Sequence, residues 1–210
     1  MYSDQSSLGG SKKLLADAVF EHIGAQIVDG SLPAGHRIRD VDLAAEMHVS
    51  RTPVREALQR LERLGLVTMY PSRYTEVTAV TPEMVEQARE FAGYQAGVAA
   101  RMAVPRLTEQ EREHVAALAD DLSAAHDDED AHPADARWRL FAYLSDHSGN
   151  AQHEMLLGDA RLALLRNLRA WEAPASDGER VQDIGRRLGE AVRRGDGDEA
   201  ERLARAVYGV

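Results

Sequence analysis

Two arginines four residues apart, Arg51 and Arg55, stand in the run Ser50-Arg51-Thr52-Pro53-Val54-Arg55. On a helix that spacing puts both guanidiniums on one face. A planar guanidinium donates two parallel hydrogen bonds to a guanine edge or to a phosphate. Ser50 and Thr52 add hydroxyls at the same end, where unpaired helix N–H groups already favour an anion. Arg73, in Pro71-Ser72-Arg73, sits between two β-prone runs and would reach the minor groove or backbone from a hairpin tip. These side chains suit a reader of double-stranded DNA. Arg60 and Arg63 fall farther down the helix and are expected to face solvent or pair with Glu56 and Glu62.

Elements that could hold such a face are legible around it. Leu15, Val19, Ile23 and Ile27 recur every four residues and predict a helix over 12–28. Gly30 ends it, and Ser31-Leu32-Pro33-Ala34-Gly35 reads as a turn. A short helix over 41–47 buries Leu43 and Ala44. After the His48-Val49 turn, Ser50 is placed to cap a third helix with Pro53 in its first turn. Val54, Leu58 and Leu61 form its buried stripe, and Gly65 ends it. Leu66–Tyr70 and Thr75–Val80 predict a hairpin. Helix, short helix, turn, helix and hairpin is the order of a winged helix-turn-helix, whose third helix enters the major groove.

The chain has 210 residues, 25 Lys and Arg against 35 Asp and Glu, and no Cys. Disulfides, thiolate metal sites and cysteine nucleophiles are therefore excluded. The first half resolves the apparent conflict between net charge −10 and DNA. Residues 1–80 carry 9 basic and 10 acidic side chains, and residues 36–73 carry seven arginines against five acids. The acidity belongs to residues 81–210, which would repel DNA and confine contact to the reader. The N-terminus lacks the apolar stretch of a secretory signal, and no apolar run approaches a membrane span. The expected location is cytoplasmic. No Gly-rich phosphate loop, nucleophile elbow or HExxH motif is present, so no enzyme is expected.

The segment from Ser50 to Leu61, SRTPVREALQRL, closely resembles the recognition helix of GntR-family transcription regulators. Leu32-Pro33-Ala34-Gly35 before it and Leu64-Gly65-Leu66-Val67 after it match as well, so the resemblance covers about residues 12–80. It implies that the arginines matching Arg51 and Arg55 read bases and that the residue matching Thr52 clamps phosphate. It also implies a homodimer on a short palindromic operator, acting as a repressor. Two departures are evident. Val41 stands where some members carry an arginine, and Tyr74 stands where the wing often has glycine.

From Thr81 onward the pattern is helical throughout. Helices are expected over 82–103, 108–125, 136–147, 151–172, 178–194 and 197–208, with residues 126–135 an acidic loop. Thr108 with Glu111 and Asp196 with Glu199 read as capping boxes, and Asn150 as a cap. The predicted fold is mainly α: a disordered stretch over 1–10, a winged helix-turn-helix over 11–80 with a small β-hairpin wing, and an all-α bundle of about six helices over 81–210. The bundle is similar to the FCD effector-binding domain of the FadR subfamily, on Ser148-Gly149-Asn150 and on Ala191-Val192-Arg193-Arg194-Gly195-Asp196.

That resemblance brings a metal site built from an Asp, a His and two later His. Counting from Asn150 and Asp196, those positions hold Arg137, Phe141, Gly185 and Val207. None can ligate a metal, and a slip of one residue does no better. No metal and no cofactor are therefore expected. Arg137 instead offers a guanidinium that binds a carboxylate directly. The expected effector is a small organic acid or acyl compound, anchored by Arg89 and Arg137 and walled by Phe141, Tyr143, Trp138 or Trp171. Two plainer readings stay open. Arg137 could be exposed or pair with an acid such as Asp183. The chain could also be a regulator with no small ligand, controlled by a protein partner or by expression level.

Overall fold

The computed structural model describes residues 5–71, 73–127, 133–171 and 178–210. They form two compact units, one ending at Val80 and one running Thr81–Val210.

In the first unit, α1 (Gln5–Val28) buries Ala16, Val19, Phe20, Ile23 and Ile27. The expected stripe fails at its first member, because Leu15 is 40% exposed. At 3.6 residues per turn each step of four overshoots by about 40°, so three steps rotate Leu15 off the face and bring Ala16 and Phe20 onto it. The helix also begins at Gln5, so residues 5–10, expected to be disordered, are helical. Extending an existing helix costs only about 0.5–1 kcal/mol per Ser or Gly, so polar composition alone does not mark its start. Residues 1–4 lie outside the described residues.

Helices α2 (Asp40–Glu46) and α3 (Arg51–Arg63) make the helix-turn-helix. Pro53, Val54, Ala57, Leu58 and Leu61 pack inward from α3. Gly65, at φ +72°, closes α3: its N–H bonds to the Glu62 carbonyl, and the Leu66 N–H bonds to that of Leu61. Ser50 occupies the N-cap position, but its hydroxyl makes no capping bond, contrary to expectation.

The turn between the helices rests on His48, at φ +54°. This left-handed conformation costs a side chain with a Cβ about 1–2 kcal/mol, partly offset in glycine by its greater freedom when unfolded. His48 is exposed, so glycine forfeits little buried surface there. His48→Gly is expected to stabilise this unit by about 0.5–1 kcal/mol, read as a higher denaturant midpoint.

The wing is β2 (Val67–Tyr70) antiparallel to β3 (Tyr74–Val77). A third strand, β1 (Arg37–Ile38), adds to the far side of β3, giving the order β1-β3-β2. Two residues carry no readable alternation, which is why the sequence shows only a hairpin. Arg37 lies over the Tyr74 ring at 4.2 Å, and Tyr70 packs on that ring at 4.8 Å. The bulky wing residue is thus held by both neighbouring strands.

The second unit comprises α4 (Pro82–Ala103), a 3-10 turn Val104–Arg106, α5 (Glu109–Asp127), α6 (Pro133–Asp146), α7 (Ala151–Arg169), α8 (Gly178–Arg193) and α9 (Gly197–Ala206). Thr81 accepts from the Met84 N–H, and Asn150 from those of Gln152 and His153. Thr108 and Glu111 exchange a reciprocal capping box. Asp196 caps α9, but Glu199 does not reach back; it pairs with Arg187 and Arg202. The acidic loop is shorter than expected, since α5 extends to Asp127 and α6 starts at Pro133; residues 128–132 lie outside the described residues. Gly93 and Gly97 bring α4 close to the end of the chain. A Cβ on Gly97 would stand 2.6 Å from Arg205 Cγ, and one on Gly93 2.9 Å from Tyr208 Cβ. That approach buries Tyr208 in the bundle core.

Candidate nucleic-acid interface and effector cleft

The first turn of α3 presents Arg51, Thr52 and Arg55 outward, and Ser50 stands just ahead of them, also exposed. The buried stripe on the opposite face fixes this orientation, because Val54, Ala57, Leu58 and Leu61 lock α3 against its unit. The two arginine side chains are 52% and 59% exposed, yet neither hangs free. Both bind Asp40, the first residue of α2. Arg51 Nη2 donates to Asp40 Oδ2 at 2.9 Å and Oδ1 at 3.2 Å, and Arg55 Nε donates to Oδ2 at 2.7 Å. Slight burial acts to raise the Asp40 carboxyl, but hydrogen bonds from Arg51 and then Arg55 outweigh it and hold it below its usual range. Nothing in the local sequence marks Asp40, since its contact forms only when α2 and α3 cross.

Arg73 is exposed in the turn between β2 and β3, where its N–H bonds to the Tyr70 carbonyl. Arg60 does not follow its expectation. It turns onto α1, paired with Asp17 and lying over the Phe20 ring at 4.1 Å. Glu62 likewise serves the wing, accepting the Met69 N–H at 2.8 Å.

In the second unit, Arg137 is only 4% exposed, although it projects from an otherwise ordinary turn of α6. Its guanidinium lies over the Trp171 ring at 4.4 Å. Its Nε is buried without a hydrogen-bond partner among the described residues, as is the Tyr208 hydroxyl. Burial lowers the Arg137 guanidinium from its ordinary value, while the nearby Tyr208 phenol acts to raise it. Burial pushes the Tyr208 phenol well up, with Arg137 opposing. Arg137 is not exposed, and Asp183 is bound instead by Arg186 and Arg187.

Phe141, one turn after Arg137, shares its face. Both border a small apolar void of about 10 Å3 with Ala96, Leu140, Val207 and Tyr208. A more open cleft of about 290 Å3 lies beside it, lined by Arg89, Trp171, Arg180, Ile184 and Tyr208 among others. Arg180 is an exposed cation there that the sequence reading missed.

Two expected pocket residues are corrected. Arg89 reaches the cleft but is committed: Nε and Nη2 bind Glu86, and Nη1 donates to the Tyr208 carbonyl. It clamps the end of the chain onto α4 and is not a free anchor. Tyr143 faces elsewhere, stacked on His147 at 4.0 Å and edge-on to His114 at 4.7 Å. Six residues beyond Arg137 is about one and two-thirds helical turns, which points it toward α5. Of the tryptophans, Trp171 walls the cleft, while Trp138 packs edge-on to Phe141 and lines a separate groove with Leu157 and Arg161.

The four register positions Arg137, Phe141, Gly185 and Val207 supply no metal-binding atom, and among the described residues no three His, Cys, Asp or Glu cluster suitably for an ion. His147 Nδ1 donates to the Tyr143 carbonyl, whereas His153 is buried on α7. Among the described residues no helix is long and apolar enough to cross a membrane.

A winged helix-turn-helix followed by an α-helical bundle defines a class of DNA-binding regulators. Residues 15–77 match the family model "Bacterial regulatory proteins, gntR family", and residues 97–209 match "FCD domain". The chain belongs to the GntR-family regulators of the FCD type. These families are transcription regulators, not enzymes.

The "Probable D-xylose utilization operon transcriptional repressor" of Paenarthrobacter nicotinovorans is 31% identical over 100 residues, 48% of this chain and 44% of that protein. The "Nta operon transcriptional regulator" of Aminobacter aminovorans is 36% identical over 77 residues, 37% of each. The chain thus spans less than half the length of the curated relatives it matches. The solved structure of E. coli McbR/YncC aligns with TM-score 0.70 at 21% identity, over 92% of this chain and 93% of that one, a likeness of fold.

Proposed function

We propose that the protein is a homodimeric, cytoplasmic repressor whose operator affinity is set by a small organic acid or acyl effector bound without a metal. Ser50, Arg51, Thr52 and Arg55 contact a short palindromic operator, and Arg73 reaches it from the wing. Arginine-to-base contacts supply specificity and phosphate contacts the salt-dependent remainder. A homodimer is supported by the outer face of α4, where Phe91, Tyr94 and Val98 are each more than 40% exposed along one side. Solved relatives of the same fold and the family models support the regulator as a class.

The observation that carries the effector reading is the buried guanidinium of Arg137, which meets no acid among the described residues, beside the Tyr208 hydroxyl, unpaired among them. A buried cation without an anion is costly, and a carboxylate supplies the missing partner. Phe141 and Trp171 offer apolar walls for the remainder of the ligand. Arg89 then contributes by holding Tyr208 in place.

The reading is tested by a thermal-shift screen of chelator-treated protein against organic acids and acyl-CoAs, followed by operator binding with each hit. An acid that raises the melting temperature should also change operator affinity, by a coupling of about 1–3 kcal/mol. Arg137→Ala should lose that response while keeping its ligand-free operator affinity. One observation favours the ligandless alternative: the void touching Arg137 holds about 10 Å3, so an acid must enlarge it. A panel with no shift, together with unaltered operator binding, would put that alternative ahead.

A further inference from the structure

We infer that Asp40 is a positioning residue for operator reading: its carboxylate holds Arg51 and Arg55 so that the open end of Arg55 faces the bases. The inference rests on the reading of α3 as the base-contacting helix.

The donor pattern carries it. Arg55 binds Asp40 through Nε alone, at 2.7 Å. Its Nη1 and Nη2 are left as a free fork, the pair of donors that matches guanine O6 and N7. Arg51 gives Asp40 only Nη2, which leaves Nη1 and Nε. One carboxylate therefore holds two guanidiniums and leaves the Nη1–Nη2 edge of Arg55 open. The exposures agree with this layering. The Asp40 side chain is 22% exposed, against 52% and 59% for the arginines, so the acid lies beneath and the cations lie outward.

The neighbouring charges do not compete for this place. Asp42 is taken up by Arg39, and Glu62 by the wing backbone. One acid against two cations leaves a net positive charge on the reading surface, so phosphate attraction survives. A long arginine chain otherwise loses considerable rotamer freedom on docking. Asp40 restricts that freedom before DNA arrives, and it does so for the contacts that discriminate between sequences.

The experiment uses the full chain and an operator selected from random duplexes. Dissociation constants are measured for that operator, for versions with single guanine replacements, and for unrelated duplex. The proteins are wild type, Asp40→Asn, Asp40→Ser, Asp40→Glu and Arg55→Ala. Asp40→Asn and Asp40→Ser are expected to weaken operator binding about tenfold, the scale of re-ordering one arginine side chain. Unrelated duplex should bind equally or more tightly, because a negative charge has gone. Discrimination at the guanine read by Arg55 should therefore collapse, and Asp40→Glu should recover part of it. A merely structural Asp40 would weaken all duplexes alike.

Undiminished guanine discrimination in both Asp40→Asn and Asp40→Ser would overturn the inference and leave the ion pairs as a resting contact of the free protein. Arg55→Ala separates that outcome from failure of the underlying reading. If Arg55→Ala binds the operator like wild type, the base-reading assignment falls and Asp40 falls with it.

Discussion

Arg55→Ala is expected to abolish specific operator binding while leaving the fold intact. A bidentate arginine–guanine contact contributes about 1–3 kcal/mol of discrimination. In a two-fold complex each substitution acts at both half-sites, so the loss is about 2–6 kcal/mol, on the order of thirtyfold or more in affinity. The folded state loses little, because the Arg55 side chain is 59% exposed and its ion pair with Asp40 is a surface one, worth about 1 kcal/mol at most. Titration of wild type and variant against the operator and an unrelated duplex checks this. Equal operator affinity for the two proteins would remove α3 as the recognition helix.

Arg137→Met should do two things that rarely go together. It should make the ligand-free protein more stable and make it blind to its effector. Methionine keeps the volume and the contact with the Trp171 ring while removing a buried charge that no acid among the described residues neutralises. Relief of desolvation, less the lost cation–π attraction, is expected to gain about 1–2 kcal/mol. For a chain of this size that is a rise of several degrees in melting temperature. If Arg137 merely braced the bundle, the same substitution would lower the melting temperature. A residue retained at a cost in stability is the pattern expected of a site held for function.

The elements around both sites were legible because their signals are local. The α3 stripe, the Gly65 stop, the Thr81 and Asn150 caps and the Thr108–Glu111 box each depend on residues within one or two turns, and each appears in the structure. What stayed hidden was set by contacts across the fold. Arg89 reads as an anchor until Glu86 and Tyr208 are seen to engage each of its three nitrogens. Tyr143 is close to Phe141 in sequence but faces α5. Tyr208 has no part in the sequence argument, yet its buried hydroxyl stands beside Arg137. Asp40 could not be found at all, since a carboxylate opening a short helix looks like any favourable first-turn acid. The sequence could likewise place Arg137 on α6, but it could not reveal that it is buried there against Trp171.

The two tryptophans of the chain, Trp138 and Trp171, both lie beyond residue 80, and the aromatic residues before that point are Phe20 and three tyrosines. Indole fluorescence therefore arises wholly within the effector-binding unit, with Trp171 lying directly on the Arg137 guanidinium. An acid that draws this cation away changes the electrostatic field on one of only two emitters. The unit that carries Arg51 and Arg55 contributes no indole. The protein thus has an intrinsic optical label on the sensing half alone, and a single titration with dye-labelled operator follows ligand and DNA on separate channels.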